Sequence, residues 1–163
     1  MTFKVLIDNN IWAIHEKEYP DVVKYIAGIL EDDADTEIYM TRIIQMELLA
    51  FSEVETKPIV KENREGYIKL ADFMLEVDET TVLRAAEIRR KSKLDGHTPP
   101  KGPDALIAAA ASLHNLTVVT NNEPDFAWAS SKYGFKVENP IKSKTHYTDF
   151  NKKYEEDKKK GLI

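Results

Sequence analysis

PDALIAAAASLHNLTVVTNNEPDF, residues 103–126, is the stretch that decides the fold. Proline suits the first turn of a helix, where its missing N–H costs nothing, so Pro103 opens one. The seven residues after Asp104 are all apolar and mostly alanine, which makes this helix, 104–114, buried on nearly every face and closely packed. Leu116 to Thr120 is a short β-branched run, expected as a buried strand. The polar turn Asn121-Asn122-Glu123 follows, and Pro124 opens a further helix to about residue 133. A buried helix, a buried strand and another helix in succession belong to a layered α/β architecture with a mainly parallel central sheet flanked by helices.

The same alternation extends in both directions. Upstream, Phe3 to Ile7 (FKVLI) is a strand, followed by the turn Asp8-Asn9-Asn10, where Asn10 is a candidate cap for the next helix. Helices are expected over 11–18 and 21–31, a second strand over 37–41, and a helix over about 42–52. The stretch 57–75 is charged and helical in pattern, and a short strand fits 75–77. An amphipathic helix over 80–94 would turn Val82, Leu83, Ala86 and Ile88 inward. Residues 95–103 (DGHTPPKGP) concentrate Gly and Pro and are expected to loop. Downstream, 135–138 (FKVE) is a last strand. In such sheets a site lies just beyond the carboxyl ends of the strands.

The 163 residues suit one domain. No apolar run approaches the roughly 18 residues of a membrane span. The start lacks the pattern of a signal peptide, so a cytoplasmic protein is expected. With no cysteine, there is no thiolate zinc site, disulfide framework or cysteine nucleophile. The net charge of −5 argues against a nucleic-acid partner only on average. Residues 84–101 hold six Lys or Arg against two acids, and residues 142–163 hold seven against four. Either run is also accounted for as a solvated face.

Four acids stand in unusual places. Asp8 directly follows a strand, where it either caps the next helix or faces a site. Glu47 shares a helical face with Met40, Ile43, Ile44, Leu48 and Phe51 at about 100° per residue. A carboxylate there needs a cation, either a metal or an arginine from elsewhere in the chain, because an unpaired buried charge costs several kcal/mol. Asp104 begins the alanine-rich helix, whose dipole alone would reward it by ~0.3–1 kcal/mol. Asp125 lies in the first turn after the LTVVT strand, with Asn122 as a conventional cap.

Taken together, strand-Asp8, helix-embedded Glu47, Pro103-Asp104 before an alanine-rich helix, and strand-Thr120-Asn121-Asn122 followed by Asp125-Phe126 resemble the PIN domain, the fold of the toxin ribonucleases of bacterial and archaeal VapBC toxin–antitoxin pairs. The resemblance runs from about Thr2 to Val137. It implies a single PIN-like domain over 1–138, with 139–163 a charged C-terminal extension outside the family core. By resemblance, Asp8, Glu47, Asp104 and Asp125 are the catalytic, metal-holding acids, Asn10 and Thr120 support them, and Asn122 stands where the family usually carries an additional Asp. The neutral amide implies weaker hold on a second ion. The resemblance further implies an RNA substrate, a cognate antitoxin protein and a homodimer.

An all-oxygen ligand set favours Mg²⁺ or Mn²⁺, which would align and activate water for attack on a phosphodiester. Arg89, Arg90, Lys91 and Lys101 are the candidate phosphate contacts. The contrasting reading is a non-catalytic RNA- or protein-binding module, for which Asn122 would mark an eroded site. A phosphatase of the haloacid dehalogenase type would want Asp-x-Asp where this chain has Asp8-Asn9-Asn10. No glycine-rich nucleotide-binding motif is present.

Overall fold

Five short runs pair, all in parallel, into one sheet of order β3-β2-β1-β4-β5. In chain order these are β1 (Phe3–Ile7), β2 (Thr36–Thr41), β3 (Phe73–Leu75), β4 (Thr117–Val119) and β5 (Lys136–Glu138). The computed structural model describes residues 2–163. Parallel pairing needs crossovers, and helices supply them: α1 (Asn9–Glu16), α2 (Pro20–Glu31), α3 (Arg42–Leu49), α4 (Glu53–Thr56), α5 (Pro58–Lys69), α6 (Glu79–Leu94), α7 (Gly102–His114) and α8 (Glu123–Tyr133). A last helix, α9 (Lys144–Lys159), follows the sheet.

The core centres on β1 and β4. Val5, Leu6, Ile7, Val118 and Val119 are buried in one cluster with Ile11, Trp12, Val22 and Ile26 of the first two helices and Ile107 of α7. Ala108 to Ala111 are likewise buried, so α6 approaches α7 closely. α7 ends where Asn115 adopts φ 53°, the left-handed conformation that asparagine tolerates.

Several sequence expectations shift in detail. The third strand is Phe73–Leu75 rather than 75–77, α3 ends at Leu49 rather than about 52, and the short α4 fills residues 53–56, to which the sequence pattern assigns no element. Asp8, not Asn10, caps α1: its carboxylate accepts from the Asn9 N–H. On α6, Val82, Leu83 and Ala86 are exposed, whereas Thr81, Ala85, Ile88 and Ser92 are buried. The buried stripe, at i, i+4, i+7 and i+11, sets the small residues Thr81, Ala85 and Ser92 around one large one, Ile88, because close packing selects for fit there rather than for bulk hydrophobicity alone.

The C-terminal segment forms a helix that rests on the body. Tyr147 and Phe150 meet Tyr19 edge-on at 5.2 and 5.0 Å. Lys17 donates to Asn151 at 2.7 Å and to Glu155 at 3.1 Å, and Lys158 pairs with Glu53 at 2.6 Å.

Candidate functional site

β1 and β4 run side by side with Ile7 opposite Val119, so the residues after each strand, Asp8 and Thr120, emerge together. β2 and β3 lie on one side of β1, and β4 and β5 on the other. Consecutive connections therefore diverge here and leave a crevice at the carboxyl end. The Asp8 N–H continues the ladder by donating to the Val119 carbonyl at 2.9 Å. Thr120 Oγ1, fully buried, donates to Asp8 Oδ2 at 2.9 Å. Asn10 Nδ2 donates to the same carboxylate oxygen at 3.2 Å and to Thr120 Oγ1 at 3.1 Å, while its Oδ1 accepts from the Asn121 N–H at 3.1 Å. The Asn9 N–H supplies Asp8 Oδ1 at 2.8 Å, and the Asn122 N–H donates to Thr120 Oγ1 at 3.0 Å. Asp8 thus caps a helix while lying buried at the carboxyl end of β1, held by three donors.

The other acids arrive from three helices: Glu47 from α3, Asp104 from the first turn of α7 and Asp125 from the first turn of α8. Glu47 joins no ion pair among the described residues. Two nearby arginines in the sequence and fold are engaged elsewhere: Arg42 with Glu76 at 2.7 Å, and Arg64 with Glu16 at 3.2 Å and the Leu48 carbonyl at 2.9 Å. Glu47 Oε1 is buried and has no hydrogen-bond partner.

The acids feel one another. Burial, then the charges of Asp8 and Asp104, push Glu47 up to about 7. Burial, then Asp8 and Asp125, push Asp104 up to about 6, against a smaller pull from Lys101. Burial also raises Asp8; the bonds from Thr120 and Asn9 counter it, while Asp125 adds to the rise. Asp8 and Asp104 are central in this set, with Glu47 and Asp125 on its flanks. The grouping is looser than a finished ligand cage: among the described residues no three acidic or imidazole side chains converge tightly enough to be a ready-made metal group. Mutual repulsion of like charges opposes closer approach.

Asn122 occupies the position before α8, but its side chain makes no capping bond and is exposed. The basic candidates divide. Arg89 Nε donates to the Pro100 carbonyl at 3.0 Å and Lys91 pairs with Glu87 at 2.7 Å, whereas Arg90 and Lys101 are exposed. Lys101 joins Asp104 and Asp125 in lining a cleft of about 390 Å³.

Two participants escaped the sequence reading. Trp128 lines the same cleft, a position that helical spacing from Asp125, at i+3, could have signalled. Asn139 Nδ2 donates to Glu123 Oε1 at 2.6 Å and to Asn121 Oδ1 at 3.2 Å, bracing the turn after β4. Nothing in the local sequence marks it.

A comparison with the curated proteins gives no match. Among solved structures, VapBC2 from Rickettsia felis, bound to a DNA fragment from their promoter, is similar with a TM-score of 0.68 at 19% identity, covering 84% of this chain and 98% of that one. DNA-bound VapBC from Salmonella typhimurium gives 0.64 at 24%, covering 86% and 100%. FitAcB from Neisseria gonorrhoeae gives 0.63 at 28%, covering 83% and 97%. The PIN-domain family model matches residues 5–127, a span from β1 into α8 that contains Asp8, Glu47, Asp104 and Asp125. The chain belongs to the PIN-domain family.

Proposed function

We propose that the protein is a divalent-cation-dependent endoribonuclease that hydrolyses RNA phosphodiester bonds, and the toxin of a toxin–antitoxin pair. The observation that carries this reading is Glu47: half-buried, without an ion-pair partner, one oxygen orphaned, and raised to about 7 by burial and by Asp8 and Asp104. Such a group is costly unless a cation completes it. Membership of a family of nucleases agrees with it, and the solved VapBC complexes support an antitoxin partner. The family likeness also supports a homodimer. Among the described residues no helix is long and apolar enough to cross a membrane, and the cytoplasm is the compartment we assign.

The donor set fits a hard cation, since the chain has no cysteine and the coupled groups are all carboxylates. Asp8, Glu47, Asp104 and Asp125 would hold Mg²⁺ or Mn²⁺, with Asn122 as a weaker neutral donor. When bound, the cation supplies Lewis-acid polarisation of the phosphodiester and activation of a water. The protein's own residues do the rest. Thr120, Asn10 and the Asn9 N–H fix Asp8 in one orientation before anything binds. Glu47, whose carboxyl is pushed up to about 7 by burial and its acidic neighbours, would have to give up its proton to hold such a cation. Lys101 lowers the local negative field beside Asp104, and Arg90 offers an unengaged charge to phosphate. Arg89 and Lys91 reach phosphate only by leaving Pro100 and Glu87.

Asn122 favours a second reading, a PIN-like binding module without catalysis. One experiment separates them: purified protein incubated with single-stranded RNA and Mg²⁺ or Mn²⁺, beside Asp8→Asn. Cation-dependent cleavage lost in the variant is expected; RNA binding without cleavage under every cation condition would establish the binding module instead. We further divide the chain into the PIN domain, 1–138, and the extension 139–163.

A further inference from the structure

The cleft lined by Asp104 and Asp125 continues onto a wall of different chemistry, formed by Trp128, His97, Pro99 and Pro100, with Lys101 also contributing. Several contacts hold that wall in place. The Trp128 indole Nε1 donates to Asp95 Oδ2 at 3.1 Å, and its ring meets Tyr133 edge-on at 6.2 Å, so the plane of the indole is set. His97 lies 6.4 Å from the indole at 44°, a wedge rather than a closed stack. The loop carrying His97 turns at Gly96, where φ is +81°, a conformation side chains resist. It is tied at one end by the His97 N–H to the Ser92 carbonyl, 3.0 Å, and at the other by Arg89 to the Pro100 carbonyl. At about 390 Å³ the cleft falls in the ~300–1,000 Å³ range of small-ligand sites.

We propose that Trp128, with His97 beside it, is a stacking platform for one unpaired nucleobase of the RNA strand, adjacent to the phosphate held at the acids; this rests on the nuclease reading above. Acids that hold a cation and a phosphate leave the neighbouring base without a partner, and an aromatic wall in the same cleft supplies one. Every base has a π-face, so such a platform is tolerant of sequence and excludes duplexes, whose bases are already stacked and paired. Trp128 is therefore a positioning residue, and the protein prefers single strands.

The two tryptophans make the test direct, because Trp12 is fully buried and Trp128 only partly so. Asp8→Asn protein, used to prevent cleavage, is titrated with a hexa-adenylate RNA and with an abasic hexamer of equal charge, reading tryptophan fluorescence. Quenching by the first and not by the second is expected. Trp128→Leu, which keeps apolar bulk but has no π-face, should bind the RNA about 5- to 150-fold more weakly, and Trp128→Phe should retain most affinity. Equal quenching by the abasic strand, or unchanged affinity in Trp128→Leu with an unchanged melting temperature, overturns the platform. If Trp128→Leu fails to fold, the base-versus-abasic comparison still decides. A wild type that cleaves no RNA would overturn the nuclease reading alone, since the quench measures the platform itself.

Discussion

Replacing Glu47 with Gln keeps the shape of the side chain and removes its ionisation, which makes the stability of the cation-free protein a measure of how unfavourable that carboxylate is. Glu47 ionises near 4.5 in an unfolded chain and at about 7 in the folded one. Between those values the folded protein holds a proton that the unfolded chain has lost, so stability is fully present below 4.5 and falls as the pH rises through about 7. At about 1.4 kcal/mol per pH unit the difference has an upper bound of about 3 kcal/mol. The group is only half-buried, and solvent screening reduces this to ~1–2 kcal/mol. In chelator, then, Glu47→Gln and wild type should unfold alike in urea at pH 4 and diverge towards pH 8, where the variant is the more stable by that amount. Added Mg²⁺ or Mn²⁺ should reverse the order, because only the wild type gains the full binding energy. Parallel stability–pH curves, or a variant weaker at every pH, would refute the reasoning and mark Glu47 as a structural hydrogen-bonding group.

Thr120→Val should destabilise the protein by about 1–3 kcal/mol in urea unfolding, since Asp8 Oδ2 loses a donor and Asn10 and the Asn122 N–H lose an acceptor at a fully buried position; Thr120→Ser should restore most of it, and equal stability of all three would show the bonds to be unimportant. Asn122→Asp should bind Mg²⁺ about tenfold more tightly by calorimetry, as charge count tunes carboxylate sites. Equal affinities would mean that side chain 122, exposed before α8, does not reach the cation.

What was legible in the sequence was what periodicity encodes. FKVLI and LTVVT had to be buried strands, and the alanine run had to be a buried helix, so the parallel sheet followed, with Asp8 and Thr120 each at a strand's end; that the two strands are neighbours is shown only by the pairing of β1 with β4. Glu47 was legible for the opposite reason, as a charge inside an apolar stripe. Side-chain phase on α6 was not, because bulky Val82 and Leu83 outweigh Ala85 and Ser92 in any hydropathy count, while packing against Ala108–Ala111 rewards the small residues. Nor was the order in α9: Tyr147, Phe150 and Tyr154 repeat at helical spacing, but the lysines between them masked the stripe. Trp128 could have been reached only through its i+3 spacing from Asp125, and Asn139 acts through tertiary neighbours that no local pattern announces.

The bond from Thr120 to Asp8 spans 112 residues of chain. During synthesis at about 5–20 residues per second, roughly 6 to 22 seconds separate the two residues' appearance, with the transit of β4 out of the ribosome still to follow. Throughout that interval β1, the middle strand of the finished sheet, has one edge without its neighbour, and Asp8 lacks the hydroxyl that orients it. The acidic centre of a nascent chain is therefore not assembled until most of its length has been made, and whatever needs Asp8 oriented by Thr120 waits for β4 to leave the ribosome.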